Sequence, residues 1–155
     1  MSSHLAKALW KARTEGGTVP VGDAQRPASA GDAYAVQEEV TALSDGDMVG
    51  WNLGAPTQKT LDLLGFERSF VGPLLSMHFH DQNDELAIYP EHGPALETEF
   101  LVALSADLPP RDAPYSDEEV MAAVDFVCPA FEIVGCRADI GFAAAGLLLI
   151  ADGAA

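Results

Sequence analysis

Glu97 and Glu99 stand two residues apart in the run Ala95 to Leu104 (ALETEFLVAL). In a strand, side chains at that spacing share a face, with Cα atoms roughly 6.5–7 Å apart. Two carboxylates so placed repel one another unless something positive sits between them. Their neighbours Leu96, Phe100, Leu101 and Val102 are apolar. Apolar strands are usually buried on at least one face, where an unpaired carboxylate is costly. Glu132 has the same character, inside the short apolar run PAFEIV. Three such carboxylates, with few Lys or Arg to pair them, call for another cation. A hard divalent ion with oxygen ligands fits, and Mg²⁺ or Mn²⁺ is preferred to Zn²⁺ because no Cys or His cluster adjoins. The same E-x-E also fits two glutamates on the solvent face of an edge strand, and the motif alone leaves both readings open.

A second candidate is His78 and His80, an H-x-H pair on an expected strand. With Gly72 and Glu85 they approximate the first motif of the cupins, G-x5-H-x-H-x4-E, although Gly93 closes it one residue late and no second cupin motif follows. This gives an alternative reading as a cupin-like binder. Cys128 and Cys136 have no nearby His to activate a thiolate and read as core residues. Arg137 follows the Glu132 strand, where it either meets a substrate carboxylate or forms a plain salt bridge.

The elements that must position these residues follow from pattern and caps. Leu5, Leu9 and Trp10 predict an amphipathic helix over Leu5 to Arg13, ended by Gly16-Gly17. Ser29 caps a second helix whose apolar stripe is Ala33, Val36, Val40 and Leu43, stopped at Asp45-Gly46. Asp47 to Gly54 reads as a strand, with glycines flanking Trp51-Asn52-Leu53 that let backbone approach a ligand. Thr57 opens a short helix through Leu64, closed by Gly65. Phe70 to His80 and Glu85 to Tyr89 read as strands, and Ala95 to Leu104 is the clearest one. Ser116 and Glu119 form a capping box for a helix expected through Val127 and ended by Pro129. Phe131 to Cys136 is a further strand. The tail from Ile140 is apolar with no evident partner, so either its last strand pairs back on the sheet or the chain is cut short.

The 155 residues suit one domain: a helical part over 1–46 and a β-rich part over 47–155. Hydrophobic residues make up 48%, enough for a core. The 24 acidic against 8 basic residues give a net charge of −16, which repels nucleic acid and anionic membranes. Neither is expected as a partner. An anionic substrate would need a metal ion or placed cations in such a field. Two cysteines are too few for a disulfide framework. The first residues lack the apolar core of a signal peptide, and Phe142 to Ile150 is too short to span a bilayer. A cytoplasmic protein is expected.

Several short motifs agree in order and spacing with one family. Gly93-Pro-Ala-Leu-Glu-Thr-Glu99, Asp107-Leu-Pro109 and Pro129-Ala-Phe-Glu132 resemble the 2-keto-4-pentenoate hydratase group of the fumarylacetoacetate hydrolase superfamily. So do Tyr34-Ala-Val-Gln37, Val49-Gly50 through Gly54, Gly72-Pro-Leu74 and Ala151-Asp152. The resemblance implies an α+β fold, in which N-terminal helices precede a mixed β-rich roll that is incomplete at the C-terminus. It implies that Glu97, Glu99 and Glu132 bind Mg²⁺ or Mn²⁺, which in the family chelates the carboxylate and 2-oxo group of a small anionic substrate. It further implies a homo-oligomeric hydro-lyase of aromatic-compound catabolism that adds water to a 2-hydroxy-dienoate, although relatives decarboxylate 2-oxo diacids.

Two departures stand against activity. Asn52 occupies the position of the family lysine in V-G-x-K-x-G, and Lys59 lies too far along to replace it. Asparagine hydrogen-bonds but exchanges no proton near neutral pH. The family also continues well past Ala151-Asp152, where Gly153 replaces its usual Asn. An impaired relative, serving at most as a metal-binding or assembly subunit, is therefore the alternative. Arg137 and Asp152 are the remaining candidates for substrate binding.

Overall fold

The structure, a computed structural model, describes residues 3–22 and 25–153. These fall into two compact units, one formed by residues up to 95 and from 134 onward, the other by Leu96–Ile133.

The larger unit is built on two helices. Helix α1 spans His4–Glu15, with the Ser3 hydroxyl accepting from the Ala6 amide and Gly16 at its end. Helix α2 spans Ala30–Thr41, capped by Ser29 as the sequence predicts. Ala6, Leu9 and Ala12 of α1 and Ala33 and Val40 of α2 are buried together. Strand β1 (Met48–Gly54) pairs antiparallel with β2 (Phe70–Leu75), Gly54 opposite Phe70 and Asn52 opposite Gly72. Between them, α3 (Gln58–Leu64) starts on a Thr57–Thr60 capping box and stops at Gly65, whose φ of 73° is the left-handed value that favours glycine. Gly54 is explained by packing: a Cβ there would lie 2.3 Å from the Phe70 ring. Its role is to admit that ring, so the ligand approach read from the sequence has a simpler structural cause.

Three expectations fail in this unit. The strand expected to reach His80 ends at Leu75, and a 3-10 turn follows at Ser76–His78. The strand expected over residues 85–89 is absent; that segment is mostly exposed and pairs with no described strand, so no ladder takes up its backbone groups. Tyr89 instead ties the loop to α1 by donating its hydroxyl proton to the Thr14 carbonyl at 2.9 Å. The apolar tail is helical, not a returning strand. Short helices α5 (Phe142–Ala145) and α6 (Leu147–Ala151) form it, and α6 packs on α2. Leu148, Leu149, Ile150 and Ala151 are buried, so the partner that the sequence left unassigned is the apolar stripe of α2. Gln37 fixes this docking. Its side-chain amide donates to the carbonyls of Val71 at 2.9 Å and Ile150 at 2.8 Å.

The smaller unit is a two-stranded ribbon with one helix. Strand β3 (Ala95–Leu104) matches the sequence reading, and helix α4 (Asp117–Ala123) begins on the expected Ser116–Glu119 capping box. The helix then ends early. Strand β4 runs Val124–Val134 straight through Pro129. The β-branched and aromatic residues Val124, Phe126 and Val127 favour the pleat. In a ribbon of two strands each strand has an open edge, where a missing N–H is tolerated. No helix among the described residues is long and apolar enough to cross a membrane.

Candidate metal centre

Strands β3 and β4 pair with each other. At one end of the ribbon the Ser105 amide donates to the Ala123 carbonyl at 2.8 Å, joining the residue after β3 to the residue before β4. The strands therefore run in opposite directions. The start of β3, which carries Glu97 and Glu99, lies beside the end of β4, which carries Glu132. One carboxylate oxygen from each of the three lies within 4.8 Å of the others. Among the described residues this is the only convergence of three or more Cys, His, Asp or Glu side chains that could hold a metal ion.

The trio converges for a different reason from the one read in the sequence. Glu97 and Glu99 are exposed and Glu132 is half-buried. Their apolar neighbours are exposed too: Leu96 is 64%, Phe100 80% and Phe131 73% accessible. Burial of carboxylates in apolar strands is thus not what the structure exhibits. Antiparallel register brings the three together, and residues 97 and 99 share a face through strand alternation. The donor set is all oxygen and anionic, which matches the preference of a hard divalent cation; zinc centres typically draw on Cys and His.

The other sequence candidates lie in the larger unit. Asn52 is half-buried on β1. Arg137 and Asp152 pair with each other, Arg137 Nη1 to Asp152 Oδ2 at 2.7 Å. Arg13, which the sequence reading missed, joins them: its Nη2 lies 3.6 Å from Asp152 Oδ1 and donates to the Asp152 backbone carbonyl. The arginine side chains are 12% exposed and the aspartate 8%. Burial, with Arg137 as a positive neighbour, pushes Arg13 down to about 10. Arg137 thus forms the salt bridge that is one of the two roles read for it in the sequence.

His78 and His80 do not form a strand pair. His78 closes the 3-10 turn, and His80 Nδ1 lies 3.8 Å from Asp84. Burial first, then Arg13, Arg137 and His80, push His78 down to about 4. Cys136 is buried, its Sγ donating to the Ala138 carbonyl at 3.5 Å, and burial raises its thiol. Cys128 is half-buried on β4, outside the core expected for it.

No family model matches the chain. It is 32% identical over 139 residues to the 2-keto-4-pentenoate hydratase of Paraburkholderia xenovorans, an alignment covering 86% of this chain and 51% of that protein. The TodF product hydratase of Pseudomonas putida is 33% identical over 108 residues, covering 68% of this chain and 40% of the relative. Among solved structures, 4-oxalocrotonate decarboxylase from Pseudomonas putida G7, complexed with calcium and acetate, superposes with a TM-score of 0.73 at 21% identity. That match covers 97% of this chain and 57% of the other. The same enzyme complexed with magnesium and adipate matches equally well.

The fold is therefore the mixed α and β fold of the fumarylacetoacetate hydrolase type. Within that class the chain is homologous to the 2-keto-4-pentenoate hydratases, and it spans about half the length of the curated relatives it matches.

Proposed function

We propose that Glu97, Glu99 and Glu132 hold a Mg²⁺ or Mn²⁺ ion and that the chain is the metal-binding part of a hydratase-like lyase. Its substrate class is a small anionic 2-hydroxy-dienoate or 2-oxo-alkenoate of aromatic-compound catabolism. The observation that carries the reading is the convergence of three carboxylate oxygens, from two strands, within 4.8 Å. The hydratase names of the sequence relatives support the reaction class, and the calcium and magnesium complexes of the structural relative support a divalent ion. An ion bound there supplies positive charge that offsets a substrate carboxylate and the negative charge developing beside it. The chain's own contribution is to bind: three anionic oxygens leave room for further ligands, as an open catalytic site requires. Calorimetry with Mg²⁺ and Mn²⁺ tests this. Binding should be lost in Glu97→Gln and in Glu132→Gln; equal binding by wild type and these variants sinks the proposal.

Asn52 favours a second reading, a relative that binds the ion without turnover. An amide at this position donates and accepts hydrogen bonds but neither gains nor loses a proton as an acid or base near neutral pH. Turnover of 2-hydroxypenta-2,4-dienoate by the chain as it stands rules this reading out. Activity appearing only in Asn52→Lys would establish it.

A further inference from the structure

The unit Leu96–Ile133 has little of its own to hold it together. It consists of two paired strands and one helix of seven residues. A lone two-stranded ribbon is marginal in water. Most of its large apolar side chains, Phe100, Met121, Phe126 and Phe131 among them, are exposed.

Each end of the ribbon has a backbone bond, from the Ser105 amide to the Ala123 carbonyl at 2.8 Å and, just past the glutamates, from the Cys136 amide to the His92 carbonyl at 2.9 Å, but the side chains beside them differ in kind. Beside α4, opposite charges and hydrogen bonds close the ribbon. Arg111 forms two bonds to Glu119, its Nη1 to Oε1 at 2.8 Å and its Nη2 to Oε2 at 2.5 Å. The Arg111 guanidinium also lies 3.7 Å from the centre of the Tyr115 ring, and the Ser105–Ala123 backbone bond ties the strands. At the other end the two strands meet through Glu97, Glu99 and Glu132, three carboxylates within 4.8 Å. Like charges at that distance oppose strand pairing, whereas a divalent cation among them links β3 to β4.

We propose that the cation is a clasp as well as a cofactor: binding at the trio holds β3 against β4 at the glutamate end of the ribbon. This rests on the metal-site reading above. The coupling is intrinsic to the geometry, because two ligands come from one strand and the third from its partner. The larger unit has a buried core of its own and should not respond. Separation of the strands must break the site, so bound ion suppresses opening by the factor 1 + [L]/Kd, about eleven-fold at ten times Kd.

The test is hydrogen exchange, read peptide by peptide, on the full chain. It is run without metal, with MgCl₂, and with KCl at matched ionic strength, beside calorimetry on the same sample. The expected result is slowing of about ten-fold in β3 and β4 with MgCl₂ alone, and no change in α1, α2 or α6. The triple variant Glu97→Gln, Glu99→Gln, Glu132→Gln should show protection that no longer depends on metal. If MgCl₂ binds stoichiometrically and the ribbon exchanges at an unchanged rate, or if KCl protects equally, the clasp is overturned while the metal site stands. If MgCl₂ does not bind at all, both fall. The wild-type comparison decides the matter even if the triple variant misfolds.

Discussion

Asp152→Asn removes the carboxylate that lies between two buried guanidiniums and keeps the shape of the side chain. In the native chain its Oδ2 lies 2.7 Å from Arg137 Nη1 and its Oδ1 3.6 Å from Arg13 Nη2. At an effective dielectric of 20 these contacts amount to about 6 and about 5 kcal/mol of gross attraction. Desolvation of all three groups and repulsion between the arginines offset most of that sum. Breaking a buried pair from one side leaves a net cost of about 3–5 kcal/mol. At 3 kcal/mol the midpoint of thermal unfolding falls by about 6–12 °C for a chain of this size. Urea unfolding followed by circular dichroism gives the free energy. Arg13→Met in the Asp152→Asn background should recover part of the loss, because one buried cation has gone. A change below about 0.5 kcal/mol, the size typical of neutral surface substitutions, would refute the view that this cluster holds the N-terminal helix to the C-terminal segment.

Three further outcomes follow from particular residues. Gln37→Leu removes two hydrogen bonds, to the carbonyls of Val71 and Ile150, the latter keeping the Gly153 amide at 3.0 Å, and should cost about 2 kcal/mol in urea unfolding, whereas an exposed Gln58→Leu should cost little. His78 should titrate near 4 in NMR, against 6.5 when unfolded, and Arg13→Met should raise that value. Because the folded value is the lower one, the unfolded chain takes the proton first: the His78 contribution is present above pH 6.5 and is lost as the pH falls toward 4. A titration at 6 or above contradicts this shift. Ser116→Ala removes the hydroxyl that caps α4 and should weaken that helix by about 1 kcal/mol, visible as faster amide exchange in residues 117–120.

Local signals were readable in the sequence, and long-range ones mostly were not. The caps Ser29, Thr57 and Ser116 lie where side-chain chemistry puts them, since each acts within three residues of itself. Strand β3 matches its sequence pattern to the residue. Pro129 misled because its cost depends on whether an edge is open, a property of the ribbon and not of the local sequence. The tail resisted reading for a similar reason. Gly146, with φ of 52°, divides it into helices too short to show a period, and their buried face is defined only by α2. Arg13 and Asp152 are 139 positions apart, and nothing local announces their contact. The glutamates were found by type, spacing and resemblance, yet their apolar neighbours suggested a burial that the ribbon does not provide. What brings Glu132 to the E-x-E pair is antiparallel register.

The central claim is that Glu97, Glu99 and Glu132 form one divalent-ion site. Electron paramagnetic resonance of Mn²⁺ titrated into the protein tests it most directly, because free Mn²⁺ is read while bound Mn²⁺ broadens. The account predicts one site per chain, displaced by Mg²⁺ and weakened at least ten-fold by each of Glu97→Gln, Glu99→Gln and Glu132→Gln, about 1.4 kcal/mol or more apiece. Stoichiometric binding that survives all three substitutions, or weak binding of many ions spread over the −16 surface, would contradict it.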